Sequence, residues 1–307
     1  MQLSSNRALV IIARAVMIIV AAVFYLAATL KALDPVSFSE QIATYNIFPH
    51  LSMLAAWTLI IVEILLATAL AVNFLPRVAP ILMIALLLFF IGITWYGMAI
   101  GLGENCGCFG NLVHRGPEMV IIEDAIMAAG LLFSLAVLWT KPATGIKWKS
   151  AVTLASGLVA AGVTFYSPAI PADDIVTTLR PGARFDVWPV DGLYGTSLNE
   201  GTRVVFLFTM DSRDLQLDVN RMNDIAQQEE VHSATGLLID GTEHLTALMF
   251  EYAAAFPVGA IEPRFARPLY RSLPRTFILQ DGIVKATWSG LPDAAAVVHE
   301  LRTQSGK

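Results

Sequence analysis

Apolar and polar positions change their pattern near residue 170 of this 307-residue chain. Before that point, long apolar runs are broken only by short polar stretches. A membrane-spanning helix needs about 20 mostly apolar residues, and five runs reach that length. They extend from about Ala8 to Leu30, Leu51 to Leu75, Val78 to Gly103, Met119 to Thr140 and Ala151 to Ile170. Arg14 lies in the first, Glu63 near the middle of the second, and Glu123 and Asp124 in the first turns of the fourth. Helix is the default for each, because a backbone in lipid must satisfy its own hydrogen bonds. The first run has a weak basic start and is followed by further spans, so it reads as a retained helix rather than a cleaved signal.

Beyond residue 170 the pattern shortens and alternates. Arg203 to Thr209 is a continuous apolar run, as in a buried strand. Val219, Met222, Ile225 and Ala226 recur at helical spacing and predict a helix over about 215–230. Gly236 to Asp240 reads as a second strand, and Thr242 as the cap of a helix running to about Phe256. Thr276–Leu279 and Ile283–Trp288 flank Gln280-Asp281-Gly282, a hairpin signal. A closing helix runs from Pro292 to about Thr303.

Charge sharpens the division. Residues 1–170 hold 8 Lys and Arg against 7 Asp and Glu, whereas residues 171–307 hold 12 against 18. Overall 56% of residues are hydrophobic and only 15% charged, which excludes a single water-soluble globule, a disordered chain and a basic nucleic-acid binder. Basic residues in short loops set membrane topology. Arg7, Arg14, Arg77, Lys141, Lys147 and Lys149 fall on one side, Lys31 and Arg115 on the other. The N-terminus is therefore expected in the cytoplasm. The third-to-fourth loop and residues 171–307 are expected outside a bacterial-type plasma membrane.

That loop contains both cysteines of the chain, in Cys106-Gly107-Cys108-Phe109-Gly110. A thiol pair on the outer side sits in an oxidising compartment. Cysteines two apart bridge only through a small strained ring, which the central Gly permits, and strain favours exchange over stapling. Two other readings stand beside this one: a pair of unpaired buried thiols, and metal capture by Cys106, Cys108 and His114, which lacks a fourth ligand. Glu63 is costly in mid-bilayer. It reads either as a proton acceptor or quinone partner, or as an interhelical bond to Arg14, Thr58, Tyr96 or Trp95. Glu123 and Asp124 read as solvated acids at a helix start. Lys31 reads as snorkelling to the interface or as lowering the pKa of a nearby thiol.

The cysteine motif after a third membrane helix resembles the methylamine-utilisation family MauE, within the wider DoxX-like group. Ala28-Thr29-Leu30-Lys31-Ala32-Leu33-Asp34, Phe38, Tyr45-Asn46-Ile47-Phe48-Pro49 and Glu63 fit the same resemblance, which covers roughly residues 8–140. It implies a four-helix membrane bundle, reminiscent of quinone-linked thiol oxidases. It also implies redox assistance in maturing extracytoplasmic enzymes, such as the disulfide-rich small subunit of methylamine dehydrogenase. Cys106, Cys108, Glu63 and Lys31 are then the candidate catalytic residues, a membrane quinone the candidate cofactor, and no metal is expected.

The second half resembles a thioredoxin-like domain over about residues 175–305. Leu273-Pro274-Arg275-Thr276-Phe277, Asp281-Gly282 and Trp288-Ser289-Gly290 resemble that family's cis-proline segment, its hairpin and the Gly after its last strand. Where the family carries Cys-x-x-Cys, this chain reads Met210-Asp211-Ser212-Arg213-Asp214. Carboxylates cap a helix but exchange no disulfides, so the domain is expected to be redox-inactive. Asp211, Asp214 and Pro274 would mark a partner-binding groove, or the domain would form a structural lid over the membrane site. Arg264, Arg267, Arg271 and Arg275 read as an ordinary solvated face, with a partner or lipid face as the alternative.

The expected fold class is an α-helical membrane bundle, a four-helix MauE/DoxX-like core plus a fifth helix, followed by an α/β thioredoxin-like domain. The expected domains are 1–145, 146–172 with the fifth helix and linker, and 173–307. The expected partners are the lipid bilayer and an extracytoplasmic client or a separate Cys-x-x-Cys protein, with no nucleic acid. A non-catalytic scaffold presenting the inactive domain is the competing function; a transporter lacks the inverted repeat expected of one.

Overall fold

The structure, a computed structural model, describes residues 6–47, 49–102, 116–140, 144–185, 190–193 and 198–305. The chain divides into two compact units, Met1–Ile170 and Pro171–Lys307.

Among the described residues, six α-helices build the first unit: α1 (Arg7–Leu33), α2 (Pro35–Thr44), α3 (Ser52–Val72), α4 (Val78–Ala99), α5 (Pro117–Leu138) and α6 (Ile146–Tyr166). Among the described residues, five of them, all but α2, are long and apolar enough to cross a membrane. The protein is thus a multi-pass membrane protein. The ends differ from the hydropathy reading where local chemistry intervenes. The second span stops at Val72 because Asn73 turns left-handed (φ 56°). The fifth starts at Ile146, so Lys147, Trp148 and Lys149 lie inside a helix rather than in a loop.

Helix α2 has no counterpart in the hydropathy pattern. Pro35 opens it, and the Asp34 carboxylate accepts a hydrogen bond from the Ser37 N–H at 3.1 Å. Both are helix-start signals, but ten mixed residues between two spans read as a loop.

Buried positions of α1 recur every three or four residues: Ala13, Met17, Val20, Phe24, Ala27 and Lys31. The stripe packs against α3 and α5. Small residues bring the backbones close. A Cβ on Gly130 would stand 2.9 Å from Val16, and one on Gly157 would stand 2.7 Å from Leu65. Outward positions such as Ile11, Leu158 and Val159 are exposed and apolar, as lipid contact requires. At one end of the bundle, Arg14 donates to Asn73 Oδ1 and the Ala71 carbonyl, each at 3.1 Å. Lys149 donates to the Asn73 carbonyl at 3.2 Å. Both cations thus satisfy the carboxyl end of α3, whose last carbonyls lack helical partners.

The second unit is a six-stranded mixed sheet flanked by helices. In chain order it comprises α7 (Asp173–Val176), β1 (Val190–Asp191), β2 (Thr202–Phe208), α8 (Leu215–Ala226), β3 (Ala234–Leu238), α9 (Leu245–Phe250), β4 (Val258–Ile261), α10 (Pro263–Ala266), β5 (Arg275–Gln280), β6 (Ile283–Trp288) and α11 (Ala294–Ser305). The strand order is β1-β4-β3-β2-β5-β6. Strand β2 pairs parallel with β3 and antiparallel with β5, and β5 forms the hairpin with β6. This strand–helix–strand–helix–hairpin–helix order is thioredoxin-like, with β4 added beyond β3. The sequence reading missed β1 and β4 and carried the helix after Thr242 through β4's approach; α9 ends at Phe250.

Alternation along β2 divides its side chains between two cores. Val204, Phe206 and Phe208 join Val219, Met222, Ile225, Val297 and Leu301 on one face. Val205 and Leu207 join Leu179, Phe185, Phe277 and Leu279 on the other. Both faces are covered, which explains the unbroken apolar run.

Candidate functional site

In the bundle, the stripe of α1 ends in a cation. Lys31 donates from Nζ to Glu63 Oε1 at 2.7 Å, and the two side chains are 4% and 0% exposed. Helix α3 supplies Glu63 in register with buried Ile60, Ala56 and Ala67. The rings of Phe38 from α2 and Phe90 from α4 stand 4.9 and 5.3 Å from the ammonium. They give it the negative faces of two π systems in place of water. Four elements therefore close around one buried ion pair.

Lys31 accordingly does not snorkel to an interface; its partner is inside. Nor does Glu63 use any of the four partners considered from the sequence. Arg14 is engaged at the end of α3. Thr58 donates to its own helix at Leu54, and Trp95 and Tyr96 are exposed. Asp124 overturns a second expectation. It is buried rather than solvated, 8% exposed, and within electrostatic reach of both Lys31 and Glu63. It shares a helical face with buried Val120, Ala128 and Leu131. Glu63 Oε2 and Asp124 Oδ2 are buried with no hydrogen-bond donor among the described residues.

Toward the opposite end, an apolar layer of Ala28, Ile64 and Ala160 follows. Beyond it, a hydroxyl chain links Tyr25, Thr68 and Ser156 across α1, α3 and α6, ending on the Thr153 carbonyl. Cys106, Cys108 and His114 lie outside the described residues. By connectivity, they belong to the segment joining the C-terminal end of α4 to the start of α5. Tyr45 at the end of α2 packs on α4 there: a Cβ on Gly97 would stand 2.9 Å from the tyrosine ring.

In the second unit, the loop between β2 and α8, which carries Asp211 and Asp214, is held by carboxylates. Asp214 caps α8, accepting from the Leu217 N–H at 3.2 Å. Asp240, at the end of β3, accepts from Thr209 Oγ1 at 2.8 Å and from the Met210 N–H. Ser212 donates to Asp218. Asp211 is exposed, and its N–H donates to Thr209 Oγ1. The short loop that carries Asp211 and Asp214 is thus bound by Asp240, just past β3, and Asp218, in the first turn of α8, which the sequence reading had not singled out.

Pro274 follows a cis peptide and is partly buried at the start of β5. The next residue corrects the reading of the arginine cluster. Arg275 is 1% exposed, donating to Thr177 Oγ1 and the Leu179 carbonyl at 3.0 Å each. It faces Asp173 and Asp174 at 3.7 Å. Burial pushes its pKa down from the ordinary arginine value, and the two aspartates oppose that shift. Arg271 is also largely buried, 3.6 Å from Asp173. These two arginines hold the entry segment of the domain to the strand after Pro274; they are not a solvated face.

With this geometry in hand, comparison with known proteins bears on the first unit. The family described as methylamine utilisation protein MauE has a model that matches residues 9–140. The membrane unit is MauE-like. No curated protein matches the sequence significantly. For the second unit, solved structures with some similarity include a thiol:disulfide interchange protein from Bacteroides sp. (11% identity, 43% of this chain and 93% of that one, TM-score 0.35). StoA from Bacillus subtilis is another (10% identity, 38% and 96%, TM-score 0.33). A thioredoxin-like protein from Bacteroides caccae is a third (12% identity, 60% and 73%, TM-score 0.32).

The matched region spans the helices that supply Lys31, Glu63, Phe90 and Asp124; α6, with Ser156 and Ala160, lies outside it. The sequence signal that would have found Asp124 is its spacing from Val120 and Ala128, four residues either way. In a MauE-like helix both the lipid face and the core face are apolar, so that spacing does not stand out.

Proposed function

We propose that the chain is a membrane thiol-redox protein that assists disulfide maturation of extracytoplasmic proteins, with Cys106 and Cys108 as the exchanging pair. The observation that carries this reading is the buried pair of Lys31 on α1 and Glu63 on α3, in the same bundle as α4 and α5, which the cysteine segment joins. Ionisable residues inside a membrane bundle are rare and costly, and they commonly mark ion, proton or ligand sites. Oxidising two thiols to a disulfide releases two electrons and two protons. A quinone supplies the matching acceptor for two electrons and two protons. The donor set fits such a group: the ammonium of Lys31 has N–H bonds beyond the one given to Glu63, and Glu63 Oε2 is buried and accepts no hydrogen bond among the described residues. Lys31 would hold a carbonyl oxygen and Glu63 a hydroxyl. The proposed orientation puts the N-terminus in the cytoplasm and the cysteines and second unit outside, in the plasma membrane. The second unit would present the client, or a separate Cys-x-x-Cys protein, through the region around Pro274, Asp211 and Asp214.

A scaffold without turnover is the second reading, favoured by the carboxylate network in place of a thiol pair. Thiol trapping with a mass-tagging reagent, with and without reductant and quinone, separates the two. The redox reading expects a reversible Cys106–Cys108 bond, quinone-dependent reoxidation and loss of function in Cys108→Ser. Thiols that stay reduced under all conditions would leave only the scaffold.

A further inference from the structure

We propose that Asp124 is a proton-transfer residue, carrying one proton between the cysteine-bearing end of the bundle and the Lys31–Glu63 pair. The use of that proton rests on the thiol-redox reading; the existence of the site rests on geometry. Around Asp124, α1 contributes Lys31, α3 contributes Glu63, α5 itself contributes Glu123, and α4 carries no charged residue. One ammonium thus pairs with Glu63 and acts electrostatically on Asp124, two carboxylates that are 0% and 8% exposed. With both ionised, the core would hold an uncompensated negative charge, which burial opposes. A single proton removes that charge. It also matches the two buried oxygens, Glu63 Oε2 and Asp124 Oδ2, that no donor among the described residues reaches.

Direction follows from position. Asp124 stands seven residues from the start of α5 and Glu63 eleven from the start of α3, about 10 and 16 Å at the rise of a helix. Below the pair, Ala28, Ile64 and Ala160 form an apolar layer, with Phe24, Met83, Leu87 and Leu131 in the core beyond. The polar route therefore runs from the pair through Asp124 to the end where α5 begins. In the redox step, two S–H bonds break and one S–S bond forms. The electron pair passes to a quinone, and the two released protons arrive on its two oxygens. Asp124, resting as the acid, passes its proton on toward the quinone and is reprotonated by one released from the thiols, ending unchanged.

The test uses the full chain in lipid nanodiscs. Infrared difference spectra between wild type and Asp124→Asn follow the carbonyl stretch of a protonated carboxylic acid. Stopped-flow measurements follow reoxidation of the Cys106–Cys108 dithiol by a short-chain ubiquinone across pH. The expected result is an acid band present in wild type and lost in Asp124→Asn. Reoxidation should slow about 100-fold, the scale of general acid–base catalysis, and Asp124→Glu should restore most of it. An unchanged thermal midpoint keeps the loss from being one of folding. A band and rate untouched by Asp124→Asn, with normal wild-type reoxidation, overturn this inference alone. A wild type whose thiols never reoxidise overturns the redox reading, and with it this use of Asp124.

Discussion

Replacing Lys31 by Met strands Glu63 in the core, and replacing Glu63 by Gln strands Lys31. Breaking a buried ion pair by removing one partner costs about 3–5 kcal/mol, whereas replacing both with well-packed neutral groups is often neutral. The 2.7 Å contact and exposures of 4% and 0% put this pair in that class. Part of each penalty is relieved when the stranded group neutralises, so each single variant is expected to lose about 3 kcal/mol. Lys31→Met also keeps an unbranched chain under Phe38 and Phe90, so packing contributes little to its loss. The double variant Lys31→Met/Glu63→Gln should lie within about 1 kcal/mol of wild type, an interaction energy of several kcal/mol. Unfolding in mixed micelles by titration with SDS, followed by tryptophan fluorescence, gives the four stabilities. Additive losses, with the double variant about 6 kcal/mol down, would refute the view that the pair stabilises by mutual compensation. A stable double variant that also fails to reoxidise its cysteines would place the pair in function rather than in folding.

Other outcomes follow from the second unit. Arg275→Met removes two hydrogen bonds from a charged donor, to Thr177 and Leu179, and should destabilise the domain by about 3 kcal/mol in urea unfolding; a loss under about 0.5 kcal/mol would show that the clasp is idle. Asp214→Ala removes the cap of α8 and should cost about 1 kcal/mol in the same assay, with Asp214→Asn close to wild type. Gly259→Ala places a Cβ 2.5 Å from Val190 and 2.6 Å from Leu193, so hydrogen exchange should show β1 released from β4 at a cost of about 1–3 kcal/mol. Arg302 donates twice to Glu230 and holds its carboxyl below the ordinary glutamate range. That contribution is present above the unfolded-state pKa and lost as pH falls through the lower folded one, so Glu230→Gln should flatten the acid limb of the stability profile. Equal acid limbs in the two proteins would contradict this.

The fold class was legible because two periods dominate the chain: long apolar runs and a two-sided apolar strand with a hairpin. What escaped was set by contacts distant in sequence. Strand β4, only Val258–Ile261, reads as loop on its own and becomes a strand by pairing with β3. Helix α2 needed its Asp34 cap and Pro35 start weighed against a polar composition. For the site, Lys31 and Glu63 stood out as charges in apolar runs, but their mutual pairing across 32 residues did not. Asp124 was hidden by its neighbour Glu123: two adjacent acids look solvated, although consecutive helical positions point about 100° apart. Arg275 was read as surface because its partners, Asp173, Asp174 and Thr177, lie about a hundred residues earlier.

The placement of β2 at the centre of the sheet has a consequence for biosynthesis. Its register joins Val204 to Ala234 on one side and to Ile278 on the other. At about 5–20 residues per second, roughly 4–15 seconds separate synthesis of Val204 from that of Ile278. Throughout that interval Val204-Val205-Phe206-Leu207-Phe208 has an unpaired edge, and five consecutive apolar, uncharged, β-favouring residues are an aggregation hazard. The nascent second unit therefore depends on shielding of this one strand until its hairpin partner is made. Slowing synthesis between residues 208 and 275 should lower the yield of folded protein more than slowing it after residue 280.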